Sequence, residues 1–252
     1  MPKIWLTSDT HFAHRNSMRY CGRPFLTVER CDNAMIKNWN AIVKPEDTIY
    51  HLGDVAMHTV PMKRILPQLN GKKILIVGNH DFIYDYFTKT RGQKFTDKMV
   101  VEYKAAGFSE IYLSGYEISV KDPLVGLDIP IRLSHFPTKN AYDPHHQDKH
   151  DNSKPIDDGK LNICGHVHQN WLKRGNNVNA GVDVWDFKPI SIDSIISLWI
   201  THLRTDLDNP RPIRTMVWKL YHTVIWKLKS IFQKKNQSNQ NRSSPNKGIK
   251  NG

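Results

Sequence analysis

Residues 3–11, KIWLTSDTH, run from an apolar, β-prone stretch into polar side chains, ending at Asp9 and His11. The same design returns twice. TIYHLGD (residues 48–54) ends at Asp54, and KILIVGNHD (73–81) ends at Asn79, His80 and Asp81. Between the first two lies a helical pattern from Val28 to Val43, with Thr27 placed to cap it. Between the second and third, Met62 to Leu69 reads as helix. Strand, helix, strand, helix, strand predicts an α/β fold with a parallel core. Further strands are expected at Glu110–Leu113, Glu117–Val120, Ile131–Ser134, Leu161–Cys164 and Asn177–Asn179, and a closing helix at Ser191–Leu203.

The later strands end in the same residue types: His135 after one, His166 and His168 after another. Ligands of open α/β sheets sit just beyond the carboxyl ends of the strands, so these side chains can converge from distant positions. Carboxylates, imidazoles and one neutral amide oxygen suit Mn, Fe or Zn better than Ca, and exclude an all-thiolate zinc site. The alternation in Asp9-x-His11 and His166-x-His168 fits extended backbone or tight turns, and is not the spacing of a metalloprotease helix. Gly53, Gly78 and Gly165 would let the chain turn sharply beside these blocks.

Taken in order, Asp9-x-His11, Gly53-Asp54, Gly78-Asn79-His80-Asp81, His135 and Gly165-His166-Val167-His168 resemble the signature of the calcineurin-like metallophosphoesterase superfamily. The resemblance runs from about Pro2 to Leu203. The wider phrases Ser8-Asp9-Thr10-His11-Phe12-Ala13-His14, Arg23-Pro24-Phe25 and Tyr50-His51-Leu52-Gly53-Asp54 are similar to a branch found in bacteria and their phages. It implies a four-layer α-β-β-α sandwich and two divalent ions, manganese first, with Fe, Zn or Ni also suitable. It also implies one ion on Asp9, His11, Asp54 and His168, and a second on Asp54, Asn79, His135 and His166. Asp54 would bridge them. Two such ions acidify a shared water, which as hydroxide attacks phosphorus. His80 takes the role of proton donor to the leaving oxygen, and Asp81 that of orienting the loop.

One departure bears on substrate. The protein phosphatases of that superfamily extend Gly-Asp with Val-Asp-Arg-Gly, whereas here Gly53-Asp54 continues as Val55-Ala56-Met57. The phosphate-clamping arginine is missing, which argues against phosphoproteins and toward a phosphodiester. His14, Asn16 and Arg23 follow the first block and are candidate substrate contacts, set against plain loop hydrogen bonding. His51, inside a strand, reads as a structural histidine, and Cys164 as a small buried residue. The segment 139–160, with Asp143, His145, His146, His150 and Asp151, is too polar and long for an ordinary connection; lid and solvated loop are its two readings.

The net charge of +12 looks like a nucleic-acid signal until it is partitioned. Pro210 to Gly252 holds ten Lys or Arg and no acid, leaving the other 209 residues at +2. The expected division is a catalytic unit over 1–205, a linker at 206–211, a basic amphipathic helix at 212–235 and a disordered polar tail at 236–252. The helix's apolar stripe either packs on its own domain or a second subunit, or lies on an anionic membrane. Trp226 on its polar side favours packing. Rival functions are a nuclease with the tail as its electrostatic handle and a non-catalytic interaction scaffold. The three cysteines lack zinc-finger spacing, no run reaches membrane-span length, and the expected location is cytoplasmic, peripheral to the membrane if the tail binds one.

Overall fold

The computed structural model describes residues 2–121, 126–141 and 150–207. The first sheet is built from β1 (Ile4–Thr7), β2 (Thr48–His51), β3 (Lys72–Ile76) and β4 (Phe108–Tyr112), all parallel, with β10 (Ile190–Ser191) antiparallel on the β1 edge. The second has the order β5 (Tyr116–Lys121), β6 (Asp128–Leu133), β7 (Leu161–Cys164), β9 (Asn177–Asn179) and β8 (Lys173–Arg174). Its β6, β7 and β9 are parallel, and β5 and β8 run antiparallel at its edges.

Strand alternation assigns the two cores. Ile49 and Leu75 point to the helical side, where they meet Met35 and Trp39 of α2 (Val28–Ile42), Met62 and Ile65 of α3 (Thr59–Ile65), and Met99 and Tyr103 of α5 (Gln93–Ala106). Tyr50, Ile74 and Ile76 point the other way, into a layer shared with Ile131, Leu133, Leu161, Ile163 and Val178 of the second sheet. The first sheet is thus apolar on both faces, as its unbroken hydrophobic runs require. Each Leu, Ile or Val buried there contributes roughly 1.5–3 kcal/mol. Helix α6 (Ile192–Leu207) adds Ile192, Ile195, Ile196 and Trp199 to the inter-sheet core. Two sheets packed face to face, with α2, α3 and α5 over the outer face of the first, agree with the expected metallophosphoesterase sandwich.

Thr27 does cap α2, its Oγ1 accepting from the Arg30 amide at 3.3 Å. Helix α3 starts three residues earlier than expected, at Thr59, because Pro61 is tolerated in a first turn whose amides need no partner. Two helices escaped the sequence reading: α1 (Arg15–Tyr20) and α5, with a four-residue turn, α4 (Asp85–Thr88), just before α5. In α5 the buried residues Thr96, Met99, Tyr103 and Ala106 recur at helical spacing, and Gly107, at φ 123°, ends it. Helix α6 reaches Leu207, so positions 206 and 207 continue it; the rest of the linker, the 212–235 helix and the 236–252 tail lie outside the described residues.

Candidate metal centre

Beyond the carboxyl ends of β1 and β2 the two loops stay hydrogen-bonded to each other. The Asp9 amide donates to the Gly53 carbonyl and the His11 amide to the Asp54 carbonyl, both at 3.0 Å. Asp9, His11, Asp54, His166 and His168 all hold positive φ, between 46° and 69°. This is the tight-turn alternative of the x-spaced pairs, not the extended one. Left-handed backbone costs a non-glycine residue of order 1 kcal/mol and persists only where neighbours enforce it. Gly78 and Gly165 matter here through close approach. A Cβ on Gly78 would collide with the Asp54 carboxylate, and one on Gly165 with Ser8 Oγ and Asp9 Oδ2.

Asp81 buckles these loops together. Its buried carboxylate accepts from the amides of Gly78 (2.8 Å), Asp54 (2.9 Å) and Val55 (3.1 Å), and from the Tyr103 hydroxyl at 3.4 Å. The loop-orienting role expected of Asp81 has this geometry behind it.

Asp54 lies at the middle of the cluster, 1% exposed. Its Oδ2 is 3.4 Å from His11 Nε2, and its Oδ1 is 3.7 Å from His135 Nε2. Asn79 Oδ1 lies 2.9 Å from His135 Nε2 and 2.8 Å from His166 Nδ1. Asp9 accepts from the His166 amide and stands 4.0 Å from His168 Nε2, whose ring stacks on that of His11 at 5.2 Å. All seven side chains named from the sequence therefore meet in one place. Among the described residues, Asp9, His11 and His168 form one group that could hold an ion, and Asp9, Asp54 and His135 another.

The electrostatics fit a cation. Burial, then the neighbouring Asp9 and Asp81, push the Asp54 carboxyl well above its ordinary range. Burial holds His135 neutral, down at about 4. Its Nδ1 donates to the Leu52 carbonyl at 2.7 Å, so Nε2 keeps a lone pair aimed at Asn79 Oδ1 and Asp54 Oδ1. Burial likewise keeps His11 from charging, and its Nδ1 has no hydrogen-bond partner among the described residues. At His168, burial opposes a charge, but Asp9 and a hydrogen bond to Asp183 outweigh it and lift the ring to about 11. Acceptors facing one another in buried space are repulsive until something positive lies between them. The residues present fit divalent ions.

The remaining expected residues divide. His80 is exposed at the rim, its amide donating to Asp54 Oδ1 at 2.8 Å and its ring 5.4 Å from that of His11. His14 is half-buried, also 5.4 Å from His11, and Asn16 is exposed on α1. Arg23 corrects the expectation of substrate contact. It is 5% exposed, and all three guanidinium nitrogens are engaged: Nε and Nη2 by Asp183, Nη1 by the Thr10 carbonyl, Nη2 also by the Asp9 carbonyl. His51 is buried beside Thr10, whose hydroxyl donates to the Val55 carbonyl and so receives from His51 Nε2 at 2.9 Å. In the long polar segment, His150 packs on Phe136 and Tyr84, 5.8 Å from the His166 ring; Asp143, His145 and His146 lie outside the described residues.

Asp183 and Asn179 went unread in the sequence. Asp183 Oδ2 is 2.9 Å from His168 Nδ1, and Asn179 Nδ2 donates to the His168 and Trp171 carbonyls. The faint signal was Asn177-Val178-Asn179, a strand whose polar residues are buried.

The family model for calcineurin-like phosphoesterases matches residues 2–170. An uncharacterized protein of Methanocaldococcus jannaschii is 32% identical over 208 residues, 79% of this chain and 92% of that protein. The gene 66 protein of Mycobacterium phage L5 is 27% identical over 220 residues, 82% of this chain and 98% of its own. A crystal structure of a protein of unknown function from Aquifex aeolicus superposes with a TM-score of 0.56 at 31% identity, covering 79% of this chain and all of that one. No helix among the described residues is long and apolar enough to cross a membrane.

Proposed function

This chain belongs to the calcineurin-like phosphoesterase family, hydrolases that use divalent metals, and from that premise we propose that it cleaves phosphodiesters at a two-ion centre sharing Asp54. The observation that carries the reading is the position of Asp54, whose two oxygens face His11 on one side and His135 on the other. Asp9, His11, Asp54 and His168 would hold one ion, and Asp54, Asn79, His135 and His166 the other. Mn²⁺ is the ion proposed first for this mixed nitrogen and oxygen set. Bound ions supply Lewis acidity toward phosphoryl oxygens and lower the pKa of water at the site.

The chain's own groups do the rest. His80, at the open rim, holds a proton for the departing oxygen. Its backbone is anchored by the hydrogen bond its amide donates to Asp54 and by Asp81 next to it, which fixes where the ring starts from. Asp81 and the Gly78 approach keep Asp54 in its strained conformation. The preference for a diester rests on two places in the chain that lack a free phosphate clamp. Val55 and Ala56, where protein phosphatases extend their motif, are packed into the core, and Arg23 is consumed by Asp183. Neither offers a guanidinium to a doubly charged monoester phosphate.

The test uses the full chain reconstituted with Mn²⁺. It should hydrolyse bis(p-nitrophenyl) phosphate faster than p-nitrophenyl phosphate, and phosphoserine peptides poorly. Preference for the monoester or the peptides would overturn the substrate assignment; hydrolysis of neither synthetic ester would overturn the catalytic one.

A further inference from the structure

We infer that Arg23 and Asp183 are a pair of positioning residues that preset the first ion site, by fixing the ring of His168 and the turn that carries Asp9 and His11. The inference rests on the two-ion reading. Arg23 and Asp183 are 160 residues apart in sequence, yet their side chains are 1% and 2% exposed and joined through Nε–Oδ1 at 2.7 Å and Nη2–Oδ2 at 3.2 Å. A paired, planar fork of this kind fixes orientation as well as charge.

Each partner then reaches one half of the site. On the Asp183 side, Oδ2 is 2.9 Å from His168 Nδ1 and accepts a hydrogen bond from it, which turns Nε2 toward Asp9 Oδ1. Asn179 already ties down the His168 carbonyl at 2.7 Å, so ring rotation is the freedom left for Asp183 to remove. A carboxylate on the far nitrogen of a ligating imidazole sets its tautomer and raises its basicity. On the Arg23 side, Nη2 donates to the Asp9 carbonyl at 2.6 Å and Nη1 to the Thr10 carbonyl at 2.9 Å. Those carbonyls belong to the turn in which Asp9 and His11 hold φ of 56° and 46°. One buried guanidinium therefore links the two ligand loops of the same ion.

A competing arrangement exists. Cys21, His168 and Asp183 also offer atoms close enough to hold an ion. The Arg23 guanidinium on Asp183 places a fixed positive charge against that group, which disfavours a cation there and favours the Asp9 side.

The experiment titrates Mn²⁺ into metal-free wild-type, Asp183→Asn and Arg23→Lys chains by calorimetry. The expected result is two ions for the wild type. In both variants one ion should bind ~10–100-fold more weakly while the other is unchanged, the second ion serving as the control for folding. Wild-type affinity for both ions in Asp183→Asn overturns the inference and leaves the two-ion reading standing; a wild type that binds no Mn²⁺ overturns the reading itself. Should the variants fail to fold, nitrogen NMR of the zinc-loaded wild type decides. A proton retained on His168 Nδ1 supports the inference, and a proton on Nε2 with the ion at Nδ1 refutes it.

Discussion

Removing the Asp81 carboxylate should loosen the loops that carry Asp54 without touching any proposed ligand. Asp81→Ala leaves the amides of Gly78, Asp54 and Val55 without their acceptor, in a place where Asp81 itself is only 2% exposed. Each orphaned buried donor costs ~1–3 kcal/mol. Part of this is offset, because burial already penalises the Asp81 charge and pushes its carboxyl up. The net loss should be about 3–4 kcal/mol, toward the large end for a single substitution. For a domain of this size that corresponds to a fall in Tm of roughly 6–16 °C. Asp81→Asn retains an acceptor oxygen but turns an NH₂ group toward one of the donors, so it should lose about half as much. Urea unfolding and thermal melts of the metal-free chains measure both, and Mn²⁺ binding should weaken in the same order. The reasoning fails if Asp81→Ala loses under about 1 kcal/mol, or if the two variants are equally destabilised.

Asp54→Ala should abolish binding of both ions, and Asn79→Ala should weaken only one; elemental analysis of reconstituted protein would refute the shared-ligand assignment if their order were reversed. His80→Ala should lower kcat by roughly 10²–10⁴-fold with metal content unchanged. The loss should shrink for esters with good leaving groups, and an equal loss for good and poor ones would leave no proton-donor role. His51 is held neutral by burial, its pKa lowered to about 3. The unfolded chain, with a histidine pKa of about 6.5, then binds more protons between pH ~6.5 and ~3, so stability should fall as pH falls through that window. His51→Gln, keeping a donor for Thr10, should flatten the decline by roughly 1–2 kcal/mol between pH 7 and 5; parallel curves would show that His51 is not its source.

The strands and the ligand blocks were legible because their information is local. An apolar run such as KILIV must be buried, and where it stops at Gly78-Asn79-His80-Asp81 the parallel sheet delivers those side chains to its carboxyl end. Thr27 before α2 is equally local, a hydroxyl within reach of one amide. Helix α5 was harder, since its buried stripe includes Thr96 and Ala106 among charged neighbours, and only packing on Met62 and Phe108 makes that face a core. Arg23 shows where local reading ends. Next to a phosphate-ester motif, an exposed arginine and a buried one are the same letter, and what separates them is an aspartate 160 positions away. The left-handed backbone at Asp9, His11, Asp54, His166 and His168 is likewise set by hydrogen bonds between loops, not by the preferences of those residues. Sequence alone named the polar side chains at the strand ends, because composition and strand order are written along the chain. Only the tertiary structure decided how they are held there, because orientation depends on partners the chain brings near by folding.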